Sequence, residues 1–162
     1  MNAMVKTFLK SREAQLVAAM LLMVAAIASR FPGFIAPGNL ASVFNDTSIL
    51  IILAFGQMAV ILTKCIDLSI AANLALCGMA AALLNVAFPD LSLAVILPLT
   101  ILLGAMLGSV NGLLVWKLDI PSIVVTLGTM TIYRGIIFLL TDGAWINAHE
   151  MSDAFKAFPR ST

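Results

Sequence analysis

Five apolar runs, separated only by short charged or turn-forming stretches, limit what this chain can fold into more than any other feature. They are Ala14 to Ala28, Ile49 to Thr63, Leu68 to Phe88, Leu91 to Trp116 and Ile120 to Leu140. A helix needs about 20 apolar residues to cross a bilayer core about 30 Å thick. The last three runs meet that length, and the first two meet it only if flanking residues are drawn in. Read as one helix, 49–88 would be roughly 60 Å long at 1.5 Å per residue, about twice the hydrocarbon thickness. It must break, and Lys64-Cys65-Ile66-Asp67 is where charge makes the break cheapest. Hydrocarbon cannot hydrogen-bond a backbone, so each run must close its own bonds as a helix. The expected fold is all-α: a polytopic membrane protein of about five transmembrane helices, with a short amphipathic helix at the outer end.

Composition agrees. Hydrophobic residues make up 62% of the 162 residues and charged ones 10%, with mean hydropathy +1.09. The formal net charge is +1, with no basic stripe to hold phosphates, which argues against a nucleic-acid partner. Trp116 and Trp145 fall near run ends, as interfacial aromatics do. Cys65 and Cys77, if on one helix, would stand roughly 18 Å apart, beyond disulfide reach, so two free thiols are expected. Neither has a second Cys or His at metal-ligand spacing.

The basic start at Lys6, Lys10 and Arg12, the apolar middle and the small residues at Ala26 to Ser29 resemble a secretory signal. More membrane follows, so an uncleaved first span is the better reading. Arg30, Pro32, Gly33, Pro37 and Gly38 read as an exposed loop. With the N-terminus inside, Lys6, Lys10, Arg12, Lys64 and Lys117 are cytoplasmic, against Arg30, Lys156 and Arg160 outside. That asymmetry favours an N-terminus in the cytoplasm. In the tail from Asn147 to Thr162, Met151, Ala154, Phe155 and Phe158 recur at helical spacing, and Asn147 with Glu150 can open a capping box. An amphipathic surface helix and a partly ordered chain end both fit.

Gly104, Gly108 and Gly112 recur every fourth residue of the fourth run, and Ala71, Ala75, Gly78 and Ala82 line the third. Between membrane helices, close backbone approach replaces hydrophobic drive, so a glycine groove for another helix is expected and leucine at Gly108 should disrupt it. In the fifth run Asp119 can cap the helix and Pro121 suits its first turn. Thr126, Thr129 and Tyr133 share a face, with Arg134 beside them. Arginine in a span costs at least about 2.5 kcal/mol, so Arg134 either faces a polar path or snorkels to the interface. The threonines are satisfied by their own helix unless they serve a path. Lys64 and Asp67 can pair if the backbone turns helically, and Asp67 or Ser69 can cap the third helix. Two readings stay open: a tight cytoplasmic turn, or a break inside the protein beside a polar solute's path. The shortness of the second run favours the latter, and Asn73 could face the same interior.

Catalytic signatures do not stand out. There is no phosphate-cradling lysine loop, no paired-histidine zinc motif and no nucleophile elbow, and His149 lies in a polar segment. An enzyme is not the expectation.

Two blocks carry a family resemblance. "TKCIDLSIAANLALCGMAAALLN" at 63–85 resembles the Ile-Asp-Leu-Ser region of permeases of bacterial carbohydrate ABC importers, the ribose/xylose type. "NGLLVWKLDIPSIVVTLGTMTIYRGIIFLLTDG" at 111–143 is similar to that family's Asn-Gly turn, Ile-Pro segment, Thr-Leu-Gly helix and Arg-Gly. The order and spacing match, and the lead-in from Pro37 fits. Lys64 and Cys65 stand where family members usually carry two glycines, and Ile70-Ala71-Ala72 replaces Val-Gly-Ser. The variant looks most similar to rhamnose-type permeases. Family permeases are about twice as long, so the chain resembles the N-terminal half of one, a single transmembrane permease domain over 1–162 that is apparently truncated.

The resemblance implies a permease dimer in the bacterial inner membrane, served by a separate ABC ATPase subunit and an extracytoplasmic sugar-binding protein. ATP would bind the ATPase and not this chain, and the permease would carry no cofactor and do no bond chemistry. The residues expected near the sugar path are Asp67, Asn73, Thr126, Thr129, Tyr133 and Arg134. The rival reading is a non-transporting scaffold or remnant in which these groups only satisfy one another. A channel is a weaker third reading, since no ring-forming acidic pattern appears.

Overall fold

The computed structural model describes residues 11–157. Within them the chain is helical, with five helices long and apolar enough to cross a membrane. These are α1 (Arg12–Arg30), α2 (Pro37–Leu62), α3 (Ile70–Ala87), α4 (Leu93–Leu118) and α5 (Ser122–Thr141), followed by a five-residue α6 (Asp153–Ala157). Short 3-10 turns at Pro32–Ile35 and Ala148–Glu150 complete the described structure. No strand occurs among the described residues. Large apolar side chains such as Leu22, Phe44, Ile101 and Leu139 are more than half exposed. A water-facing surface rarely carries so much oil, whereas a lipid-facing one requires it.

The chain divides into two compact units within α2, between Ile52 and Leu53. The first holds α1, the Pro32–Ile35 turn and the start of α2. Ser11 caps α1, its hydroxyl accepting from the Ala14 N–H at 3.2 Å. The second run was expected to be short, and here the structure differs: α2 has 26 residues, about 39 Å of helix. Pro37 opens it rather than belonging to a loop. At the first helical position proline loses no hydrogen bond and arrives with a helical φ. The polar stretch is absorbed because its side chains return to their own helix. Ser42 donates to the Gly38 carbonyl at 3.1 Å and Thr47 to the Val43 carbonyl at 2.6 Å. A short second span therefore no longer argues for a broken helix.

The second unit is built on α3, which packs against both α4 and α5. Ala72 and Leu76 from α3 meet Tyr133 from α5 in the buried centre, with Leu107, Met130, Ile136 and Ile137 around them. Small residues let the backbones approach. A Cβ at Gly104 would lie 3.3 Å from Cys77 Sγ and 3.8 Å from Asn73 Oδ1. Among the described residues only Gly104 of the stripe is close-packed; at Gly108 and Gly112 a Cβ would meet nothing within 4 Å.

The α2–α3 connection takes a form that the charge pattern did not suggest. Lys64 and Asp67 form no ion pair, the one such pair among the described residues being Lys156–Asp153 at 2.7 Å. Instead Lys64 adopts φ 60°. Its N–H bonds to the Ile61 carbonyl at 2.8 Å, and the Cys65 N–H reaches back to the Val60 carbonyl at 3.3 Å. These two bonds make a Schellman C-cap, a position that glycine usually fills because it takes positive φ freely. The lysine stands at the negative end of the α2 dipole, where its charge offsets some of the strain. Asp119 differs from expectation in the same way: it ends α4 at φ 53° rather than capping α5, which starts behind Pro121. The three residues between these helices leave no room for anything but a tight left-handed reversal, which aspartate tolerates.

The tail is anchored at the opposite end of the unit. Asn85 is 1% exposed, and its amide donates to Ser152 Oγ while its carbonyl accepts from the Ser152 N–H, both at 2.9 Å. The Glu150 carboxylate accepts from the Asn147 N–H at 2.6 Å, as the capping-box spacing implies. The expected amphipathic tail helix is divided between the Ala148–Glu150 turn and α6, with Met151 and Phe155 half-buried. Phe158 and Arg160 lie outside the described residues, as do Lys6 and Lys10.

Two stability comparisons test this packing in detergent. Gly104→Leu should lower the melting temperature or abolish folding, while Gly108→Leu leaves it nearly unchanged. At the α2 cap, Lys64→Gly should be tolerated, and Lys64→Val, branched at the position held at φ 60°, should cost about 1–2 kcal/mol.

Candidate functional site

The end of the second unit where α2 and α4 finish and α3 and α5 begin gathers most of its buried polarity. Asn111 sits in the middle of the most apolar helix, where an unpartnered amide is costly. Its Nδ2 donates to Ser69 Oγ at 2.8 Å. The Ser69 hydroxyl donates in turn to Asp67 Oδ1 at 2.7 Å, and the Ser69 N–H donates to the same oxygen at 2.7 Å. Ser69 is fully buried and Asn111 6% exposed, while Asp67 is half-buried. Neither Asp67 nor Ser69 caps α3 through its side chain in the usual way. Asp67 folds onto Ser69, and Ser69 is turned toward α4. The relay thus ties the loop before α3 to the middle of α4.

A second link ties the same loop to α5. The Ile66 N–H donates to Ser122 Oγ at 3.1 Å. Thr126 Oγ1 donates to the Ser122 carbonyl at 2.8 Å and leans toward the Ile66 carbonyl at 3.4 Å. Between these links opens a cavity of about 490 Å³, whose wall includes Thr63, Asp67, Gly108, Asn111, Gly112 and Trp116. Gly108 and Gly112 contribute a strip without side chains to this wall. One buried polar atom of the wall lacks a hydrogen bond: Asn111 Oδ1 accepts from nothing.

The six residues expected near a solute path fall in different places. Asp67 and Thr126 line this cavity. Asn73 does not; it is half-buried between α3 and α4, donating to the Gly104 carbonyl at 3.4 Å and accepting from Cys77 Sγ at 3.2 Å. Thr129 is buried and returns its hydroxyl to the Val125 carbonyl at 3.1 Å. Tyr133 is 3% exposed and donates to the Leu107 carbonyl at 2.8 Å, joining α5 to α4. Arg134 is exposed and lines a separate hollow of about 210 Å³ with Phe138 and Trp145, with no acidic partner among the described residues. Sequence reasoning weighed Ser69 only as a cap and placed Asn111 in the fourth run without giving it a role, the resemblance alone naming an Asn-Gly turn; Asn111 and Gly112 both lie inside α4. The available signal was an asparagine in a 26-residue helix whose other polar residues are Thr100, Ser109 and Lys117.

These features define a polytopic α-helical membrane protein with a polar relay sheltered at one end of a three-helix core. Comparison with known proteins gives the family. The family described as "Branched-chain amino acid transport system / permease component" matches residues 39–157, and the chain belongs to it. The chain is 39% identical over 142 residues to the "Autoinducer 2 import system permease protein" of Enterobacter sp. (strain 638), covering 87% of this chain and 40% of that protein. It is 49% identical over 105 residues to the protein of the same name in Photorhabdus laumondii, covering 64% of this chain and 31% of the other. The Klebsiella pneumoniae protein is 36% identical over 153 residues, covering 94% of this chain and 43% of that one. The chain thus spans about two fifths of the length of the curated relatives it matches. These relatives are named for autoinducer 2 and not for rhamnose. No solved structure matches the chain.

The relay predicts a specific non-additivity. Ser69→Ala leaves the Asn111 amide wholly unpaired in a buried setting and should cost about 1–3 kcal/mol. The double variant Ser69→Ala with Asn111→Leu removes the stranded amide as well and should recover part of that loss. Thermal unfolding in detergent measures both.

Proposed function

We propose that this chain is the membrane-spanning permease part of an ATP-driven importer for a small sugar-like solute. The observation that carries the reading is the permease-family match over residues 39–157, which takes in every element of the polar end. In this reading the chain lies in the bacterial inner membrane with its N-terminus in the cytoplasm. Lys64 and Lys117 support that direction, because both stand at the end where the α2–α3 and α4–α5 loops meet. A second permease chain completes the pathway. A separate ABC ATPase binds ATP, an extracytoplasmic binding protein delivers the cargo, and the permease itself makes and breaks no covalent bond.

For the cargo, the identities of 36% to 49% with autoinducer 2 permeases favour autoinducer 2 over rhamnose. Among the residues expected near the path, Asp67 and Thr126 are favoured by the cavity they line. Thr129 and Tyr133 support the wall behind it, and Asn73 sets the α3–α4 spacing. Arg134 serves the opposite end, where its charge reaches the interface.

A chimera tests this reading. The matching region of a relative's permease is replaced by this chain and expressed with that relative's ATPase and binding protein in cells lacking their own permease. Depletion of autoinducer 2 from the medium, without uptake of labelled rhamnose, is the expected result. A chimera that reaches the membrane at normal levels and imports neither compound would remove the proposal.

A further inference from the structure

The cavity beside the relay has a chemistry that helix packing leaves unused. Its volume of about 490 Å³ lies within the range of roughly 300–1,000 Å³ typical of small-molecule sites. Such sites are mostly apolar with a few placed polar groups, and this one has the same composition. Trp116 offers a flat aromatic face and is 80% exposed, and Gly108 and Gly112 leave room where side chains would stand.

Among the polar groups of the wall, which also include the Ser122 and Thr126 hydroxyls, two oxygens stand without a donor. Asp67 Oδ1 is held by the Ser69 hydroxyl and N–H, which fixes the carboxylate and leaves its other oxygen without a partner among the described residues. Deeper in the wall, Asn111 Oδ1 has no donor although the residue is only 6% exposed. Lys64 does not neutralise Asp67, since no ion pair joins them. An occupant that satisfies these two oxygens brings hydrogen-bond donors. A transmembrane helix seated on the two glycines would bring a backbone whose N–H groups are already committed to its own turns. A molecule with several hydroxyls brings donors in number.

We infer that the cavity is a binding subsite for a small polyhydroxylated solute. Its hydroxyls donate to the free oxygen of Asp67 and to Asn111 Oδ1, and its apolar face lies against Trp116. Ser69 acts as a positioning residue that holds the carboxylate in place. The inference rests on the transport reading above and narrows it to a place in the fold.

The test uses the purified full chain in detergent carrying Trp145→Phe, so that Trp116 is the one indole reporting. D-ribose and autoinducer 2 are titrated separately, with octanol as an apolar control. A saturable change in Trp116 emission with either polar probe is expected. Asp67→Asn should weaken the apparent Kd about tenfold, the loss of one charge-assisted hydrogen bond. Gly108→Leu, which builds into open space, should abolish the response while circular dichroism and melting stay unchanged. A flat titration with both polar probes in folded protein would overturn the subsite, as would a response to octanol alone or one indifferent to both variants. Uptake by the chimera together with a flat titration would leave the transport reading standing and remove only the subsite.

Discussion

A polar group inside hydrocarbon has to find its partner within the protein, and much of the second unit is arranged around that demand. The Asn111–Ser69–Asp67 relay is its clearest expression. Three residues from α4, the start of α3 and the loop before it are joined by hydrogen bonds. The relay pins an otherwise loose connection to the centre of α4, while Ser122 pins the same loop to α5. Tyr133 repeats the principle deeper in the core, its hydroxyl bonded to a backbone carbonyl of α4. The Asn85–Ser152 clamp does so at the other end. Apolar area alone cannot tell one helix rotation from another when the surroundings are equally oily. These few directional bonds do.

Backbone geometry makes the second contribution. The reversal after α2 needs positive φ, and the chain accepts a lysine there. The strain is modest because the Schellman bonds hold the turn and the ammonium complements the helix dipole. Asp119 resolves the same problem after α4. These two strained turns place the ends of α2 and α4 beside the starts of α3 and α5, and the cavity lies where those four ends converge.

Family membership and geometry bear on function at different scales. The family match gives the class of protein to which the chain belongs, a permease component. The geometry adds that, within the matched range, the Asp67 carboxylate is held at a cavity wall by Ser69. Helix packing leaves one oxygen of this fixed acceptor unused.

The five spans, the all-helical class and the break near residue 64 were legible in the sequence, because run length and charge act locally and one dimension suffices to read them. The free cysteines and the reciprocal cap at Asn147 and Glu150 were legible for the same reason. Other features depended on neighbours distant along the chain. The start of α2 at Pro37 was hidden by a polar stretch whose side chains turned out to bond their own helix. The unpaired state of Lys64 and Asp67 followed from a backbone reversal that separates groups only three residues apart. Which glycine is close-packed and which is open was decided by the rotation of α4 against α3, and the role of Asn111 by Ser69, 42 residues away in sequence. Solvent preference belongs to each residue and so is written in the chain itself. Pairing belongs to two residues at once, and only folding brings both into place.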